Sequence, residues 1–566
     1  MTIPGISKAV PSTESIVDVE KDSENQLPRE STQEQQDTYF AGKKLYLTMM
    51  ALMLAMFLVS LDRTIIATAI PHITDDFHSL NDLGWYGSAY LMTNCATQLS
   101  FGRIYTFYSS KTVFLTCIAL FELGSVVCGA APNSIAFIIG RAIAGMGSAG
   151  IQSGGIVLIA HILPLNKRPL YMGLAGAVFG VSSIAGPIIG GAFTSSRATW
   201  RWCFYINFPI GAVVFVILIL ILHFPRVERV SLRKQMVQLD PLGTLVFLPA
   251  IISLILALTW GGANYAWSSA RIIALFVVFG VLIVIFMILQ VYLKENATVR
   301  PRLIANRTIA CAMLYAFCIG GAMVTLIYFL SLWFQAILSV SAVRSGINIL
   351  PMLMSLVIAA MATGGAVTKT GWYNPFVLAC PVFLAVGAGL MTTLNPDTAS
   401  AKWIGYQILI GIGLGMGMQQ GNVAVQAVLP KRDIPVGMAL MFFSQSLGGA
   451  IFLCVGQSVF TNKLSDDIAT VQGVEAGFVL MTGATELKNS VPAAAYGQVL
   501  LAYNAAVVRV FIVVLSLAAF SIVPALGFKW VNVKRLKEGG EQKKAGDTAS
   551  NEKESDNPTG SNEAGK

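Results

Sequence analysis

Residues 45–69 read LYLTMMALMLAMFLVSLDRTIIATA, an apolar run interrupted by only two charges, Asp62 and Arg63. A segment of about 20 residues at 1.5 Å rise per residue crosses the roughly 30 Å hydrocarbon core of a bilayer. No water is available there, so backbone N–H and C=O groups must pair within the segment, which makes it a helix. Similar runs follow at 84–104, 111–131, 134–160, 169–193, 203–224, 241–261, 271–292, 309–335, 345–367, 374–394, 403–429, 436–460 and 505–529, fourteen in all. A mean hydropathy of +0.68, 55% hydrophobic residues and 12% charged residues agree. The fold class expected is an all-α polytopic membrane protein, and a soluble enzyme is excluded.

In a soluble chain, a net charge of +9 would point to nucleic acid. Here the Lys and Arg lie in loops beside spans, where they set topology and meet anionic lipid, so no nucleic-acid partner is expected. One set of alternate loops carries 21 of them, from Lys43 and Lys44 to Lys537, and the other carries 7: Arg197, Arg201, Arg271, Arg344, Lys402, Lys463 and Lys488. The basic side faces the cytoplasm. Both termini then lie there, as an even span count also requires. Residues 1–42 and 531–566 read as disordered polar tails. The first has no apolar region of signal-peptide type, so the first span itself targets the chain. The one long outer connection is 461–504.

The eight cysteines form no CxxC pair and no His/Cys cluster, so buried free thiols are expected, with no disulfide framework, metal or cofactor. No GxxxxGK[S/T] pattern occurs, which argues against an ATP-driven pump. Charges inside spans are costly and need partners or water. Asp62 and Arg63 sit late in the first span, Glu122 in the third and Arg141 early in the fourth. Asp62 and Arg63 read either as a pair near the outer interface, with Arg63 snorkelling to water, or as functional groups. Arg141 has the same two readings, and Glu122 has no evident partner. In the fifth span Gly173, Gly176, Gly180, Ser183, Pro187 and Gly191 fall on one face, which lets a neighbouring helix approach. In the twelfth, Gln419, Asn422 and Gln426 share a face as candidate cavity amides or as interhelical hydrogen-bonding groups.

These residues carry a resemblance. Leu61-Asp62-Arg63-Thr64-Ile65-Ile66 through Pro71 is similar to the first-helix motif LDxTI(V/I)…P of the fungal fourteen-span drug:proton antiporters of the major facilitator superfamily. Gly102-Arg103-Ile104-Tyr105 through Lys111 occupies that superfamily's GxLaDrxGrK loop, with Thr106 and Ser109 in place of its usual acid and glycine. Arg141 with Gly145 and Gly147 resembles the fourth-helix RxxxGxG motif. Gly180 with Gly186-Pro187-Ile188-Ile189-Gly190-Gly191 resembles the fifth-helix antiporter motif. WRWCFYINFPIG, containing Trp200, Arg201, Trp202, Asn207 and Pro209, resembles the signature that opens the sixth helix.

The resemblance implies a major facilitator fold of two six-helix halves, 43–224 and 301–530, around an inserted helix pair at 225–300. The halves would rock about a central site that takes a small organic molecule, Gln419, Asn422 and Gln426 lining it. Asp62 and Arg141 would couple transport to protons, and the motif residues would gate or pack. A monomeric, non-enzymatic plasma-membrane exporter of a drug, toxin or secondary metabolite is the leading expectation. An uptake permease for a siderophore, amino acid or vitamin is the alternative. The tails are too short and polar for a transport-dead sensor.

A tag on either terminus is expected to be reached only after cells are permeabilised, whereas the 461–504 loop is labelled from outside intact cells. A C-terminal tag accessible in intact cells would mean an odd number of spans.

Overall fold

The computed structural model describes residues 40–534 apart from residues 41, 79–81, 195, 198, 223–238, 263–264 and 472–490. Nearly all of the expected tails, the 225–238 lead into the inserted pair and the middle of the 461–504 connection lie outside the described residues. Among the described residues there is no strand, only two isolated bridges. Fourteen long helices carry the fold. They are α1 Gly42–Phe77, α2 Leu83–Phe107, α3 Ser110–Ala130, α4 Ser134–Ile162, α5 Arg168–Thr194 and α6 Asn207–Ile221, the last entered through the single turn Trp202–Tyr205. Then come α7 Pro241–Trp260, α8 Ala270–Leu293, α9 Arg307–Ile337, α10 Leu350–Thr370, α11 Asn374–Met391, α12 Ser400–Gly417, α13 Ile434–Ile468 and α14 Ala493–Phe520. Odd-numbered helices leave the end of the bundle where α1 begins, here called the base, and even-numbered helices return to it.

Thirteen helices among the described residues are long and apolar enough to cross a membrane; α2 is long enough but not apolar enough. Its polar side chains are matched by α4: Asn94 donates to Ser148 Oγ at 2.7 Å, Thr93 Oγ1 to the Ala142 carbonyl at 2.8 Å, and Gln98 to Ser153. A segment whose polar groups are paired by a neighbour tolerates the bilayer without a high hydropathy of its own. Helix α1 runs eight residues past its expected end at 69. Thr74 bonds back to the Ile70 carbonyl, and Asp76 is held from above by Trp200 and Arg201, so the polar end stays helical. Asp62 is therefore mid-helix.

The packing repeats with an offset of eight helices. Helix α1 packs on α5 and α6, α2 on α4, and α3 on α4 and α6; likewise α9 packs on α13 and α14, α10 on α12, and α11 on α12 and α14. The two sets meet along α5 and α10 and along α2 and α13. Helices α7 and α8 stand outside the repeat. Helix α7 leans on α2 and α13, and only 11% of the apolar stretch of α8 is buried, against 61% for α1, so α8 lies at the periphery. The pair is pinned by Asp240, whose carboxylate accepts from the Gly243 amide, Gln290 Nε2 and both Thr298 donors at 2.7–2.9 Å.

Helix α5 serves two neighbours with two faces. Gly173 and Gly180 abut α10 at Ala360 and Val357, while Pro187 and Gly191 approach Gly346 and Val343 just before α10 begins. Gly186 and Gly190 point the other way, against Thr64 and Thr68 of α1. Thr64 Oγ1 contacts the Ser182 carbonyl at 3.2 Å, a bond that only close backbone approach permits. A methyl group at Gly186 would collide with Thr64 and lie 3.1 Å from the Ile65 amide nitrogen, whereas one at Gly191 would meet Val343 at an ordinary 3.5 Å. Gly186→Ala is expected to destabilise by about 1–3 kcal/mol through overpacking. Gly191→Ala should be neutral or slightly stabilising, because alanine favours the helix. Thermal unfolding of both variants in detergent checks the contrast.

Candidate functional site

A cavity of about 80 Å³ lies between the two sets of helices. Met56, Ser60 and Arg63 of α1, Gln152 of α4 and Phe179 of α5 wall one side; Met323 of α9, Met418 and Gln419 beside the end of α12, and Phe442, Gln445 and Ser446 of α13 wall the other. Pockets for drug-sized ligands measure roughly 300–1,000 Å³, so the cavity as it stands is too small for such a molecule. Helix α12 stops at Gly417 and a new helix, Gln420–Val428, starts after it. That break aims Gln419 into the cavity. Asn422 donates to Gln419 Oε1 at 2.9 Å and lines a smaller adjoining space with Tyr315 and Met441. Gln426 lies elsewhere: its Oε1 accepts from Arg168 Nη1 at 3.4 Å, bridging α5 to the opposite half near the base. Of the three amides, one is in the cavity, one adjoins it, and one joins the halves.

Behind the cavity, a polar cluster sits between α1, α3, α4 and α6. Arg141 Nη1 donates to Asp62 Oδ2 at 2.7 Å with both side chains fully buried. Its Nε reaches the Tyr86 carbonyl at 3.1 Å, and the guanidinium lies 4.5 Å from the Tyr90 ring centre. Asn207 completes the pair, donating to Asp62 Oδ1 at 3.5 Å and to Ser125 Oγ at 3.2 Å. Glu122 is buried one turn from Ser125, against Gly211, and neither of its oxygens has a hydrogen-bond partner among the described residues.

At the base, Gly102 fits against α13, where an added methyl would meet Ala439 at 2.6 Å. Arg103 is buried and donates to the Asn296 carbonyl at 2.8 Å. Thr106, where the acid of the loop motif would stand, bonds among the described residues only within its own helix, to the Gly102 carbonyl. The ion pairs of this region come from another place. Arg300, in the connection after α8, pairs with Asp433 at the start of α13; Arg302 also reaches Asp433, at 2.8 Å, and Glu295, at 2.9 Å. Burial lowers the Arg300 pKa from its usual value, and the Asp433 carboxylate opposes that shift. Lys111 Nζ caps the Ile219 carbonyl at the end of α6, at 2.7 Å.

A family model described as the Major Facilitator Superfamily matches residues 52–453. The chain belongs to that superfamily. It is 51% identical over 497 residues to a rubrofusarin-specific efflux pump of Gibberella zeae, covering 88% of this chain and 91% of the relative. An efflux pump of Aspergillus parasiticus is 48% identical over 503 residues, covering 88% and 98%. Among solved structures, a facilitator-superfamily proton:xylose symporter has a TM-score of 0.56 at 13% identity, covering 87% of this chain and 98% of that one. At that identity the likeness concerns the fold.

The facilitator motifs divide between the two regions. Gly145 lets α4 approach α2 at Tyr90 and Thr93, just below Arg141. Trp200 is buried among Phe77, Phe137 and Phe204, and its indole faces Asp76. Arg201 reaches the Gly129 and Ala131 carbonyls and Asp76, closing the far end of α1 and α3. Trp202 and Pro209 are exposed. Sequence reasoning left out Gln152, Gln445 and the Arg300–Asp433 pair. Arg300 and Asp433 stand 133 residues apart, and no local pattern announces any of these residues.

Arg141→Ala would leave the Asp62 carboxylate buried and half-bonded, at an expected cost of about 3–5 kcal/mol. Replacing both, as Asp62→Leu with Arg141→Met, should cost less because no lone charge remains. Unfolding midpoints and membrane abundance of the single and double variants measure the difference.

Proposed function

We propose that this chain is a proton-coupled exporter of a small organic molecule, working by alternating access as a monomer in the plasma membrane. The observation that carries the reading is the contracted cavity walled by both halves, which a ligand reaches only when they part. Export as the direction is supported by the relatives in Gibberella and Aspergillus, both named efflux pumps. The base is assigned to the cytoplasm with both termini, on the strength of the basic loops. One chain encloses the whole path, so a single copy suffices. The work is moving a solute, with no bond made or broken in it.

For the coupling we infer a cluster of Asp62, Arg141, Asn207 and Glu122. Asp62 is held by two donors, so adding a proton to it breaks an ion pair. Glu122 faces no such partner and is the carboxyl that exchanges a proton at least cost to its neighbours. A potential of about 100 mV supplies ~2.3 kcal/mol per charge, and one pH unit adds ~1.4 kcal/mol. Their sum of ~3.7 kcal/mol sustains roughly a 500-fold gradient of a neutral solute at one-to-one exchange.

In proteoliposomes, Glu122→Gln is expected to retain counterflow of substrate and to lose transport driven by an imposed pH gradient. Gradient-driven transport at the wild-type rate would remove Glu122 from the coupling.

A further inference from the structure

Arg63 follows Asp62 in sequence but not in environment. One residue along a helix turns the side chain by about 100°, which takes it from the α4 side of α1 to the central cavity. There it is half-buried. No carboxylate is described within ion-pairing distance and no hydrogen bond is described for its guanidinium, whereas Arg141, on the other side of the same helix, is neutralised by Asp62. The rest of the wall contains no Asp or Glu. It offers amides from Gln152, Gln419 and Gln445, the rings of Phe179 and Phe442, and the thioethers of Met56, Met323 and Met418.

A guanidinium kept in a membrane-embedded cavity without a counter-ion is expensive, and such residues face substrate pathways. We propose that the transported substrate is an aromatic organic anion, bearing a carboxylate or an ionised acidic hydroxyl, with Arg63 as its counter-ion. The fork of the guanidinium suits a planar oxyanion bidentately. The two phenylalanines and the polarisable methionines suit the ring, and adapt to its outline. The driving forces fit as well. An inside-negative potential pushes an anion outward, which raises the attainable gradient by about fiftyfold per 100 mV over the neutral case.

This inference rests on the cavity being the transport site, and the test separates the two claims. The purified full-length protein is titrated with 1-hydroxy-2-naphthoate and with the isosteric neutral amide, 1-hydroxy-2-naphthamide. The same probes are then followed by counterflow in proteoliposomes. Wild type should bind the acid about ten- to hundredfold tighter than the amide, the range of a charge-assisted hydrogen bond. Arg63→Gln should erase that preference and leave amide affinity unchanged, while Arg63→Lys retains part of it. An unfolding midpoint for Arg63→Gln equal to wild type establishes that the protein is intact, and Arg63→Lys supplies the folded control otherwise. Equal affinity for the two probes, no binding of the acid, or a preference that survives Arg63→Gln would overturn the anion assignment. Arg63-dependent binding without counterflow would instead sink the transport reading and keep the anion site.

Discussion

A polar group inside a bilayer has no water to fall back on, and that constraint orders this structure from the backbone outward. It turns each crossing segment into a helix. It then favours partners on other helices for many buried polar side chains, and those partners become the positions at which helices are registered. Helix α2, the least apolar of the fourteen, is locked to α4 by Asn94–Ser148 and Gln98–Ser153. Asp62 draws α4 and α6 to α1 through Arg141 and Asn207. In the second half, Asn504 of α14 accepts from Trp333 of α9 at 2.7 Å and donates to the Leu394 carbonyl after α11. Among the described residues, Glu122 and Arg63 are charged side chains without such a partner, and on the proposed reading a proton and a solute supply one.

The fold was largely legible because its signals are local. Span length, glycine spacing and loop charge can be read without knowing which helix touches which. Hydropathy and loop charge together were enough for α2, although its own apolarity is modest. The site was legible only in part, because its geometry depends on contacts between distant segments. Gln419, Asn422 and Gln426 are grouped by a shared face, but a separation of seven residues is about 10 Å along the helix axis. Gln419 and Asn422 therefore bond to each other by the cavity, while Gln426 reaches Arg168. Gly186 belongs to a small-residue series that the sequence shows plainly, but only the structure says that it faces α1 while Gly180 faces α10. One of the two readings of Asp62 puts it near an interface, on the length of its span. The helix continuing to Phe77 moves it inward.

The base has one further consequence, a mechanical one. Arg300 and Asp433 both belong to the chain that leads into or forms the second half, so their pair moves with that half. The links that cross between halves are of another kind: Arg103 to the Asn296 carbonyl, Arg168 to the Gln426 amide, and Thr368 Oγ1 to the Leu170 backbone amide at 3.1 Å. Each ends on a neutral partner. Such bonds contribute about 0.5–3 kcal/mol apiece, whereas stripping one member from a buried ion pair costs about 3–5 kcal/mol. The bonds described across the seam are thus of the weaker kind, and the ion pair described within the second half is of the stronger kind. On the proposed cycle, opening breaks bonds where rupture is cheap and leaves each half intact.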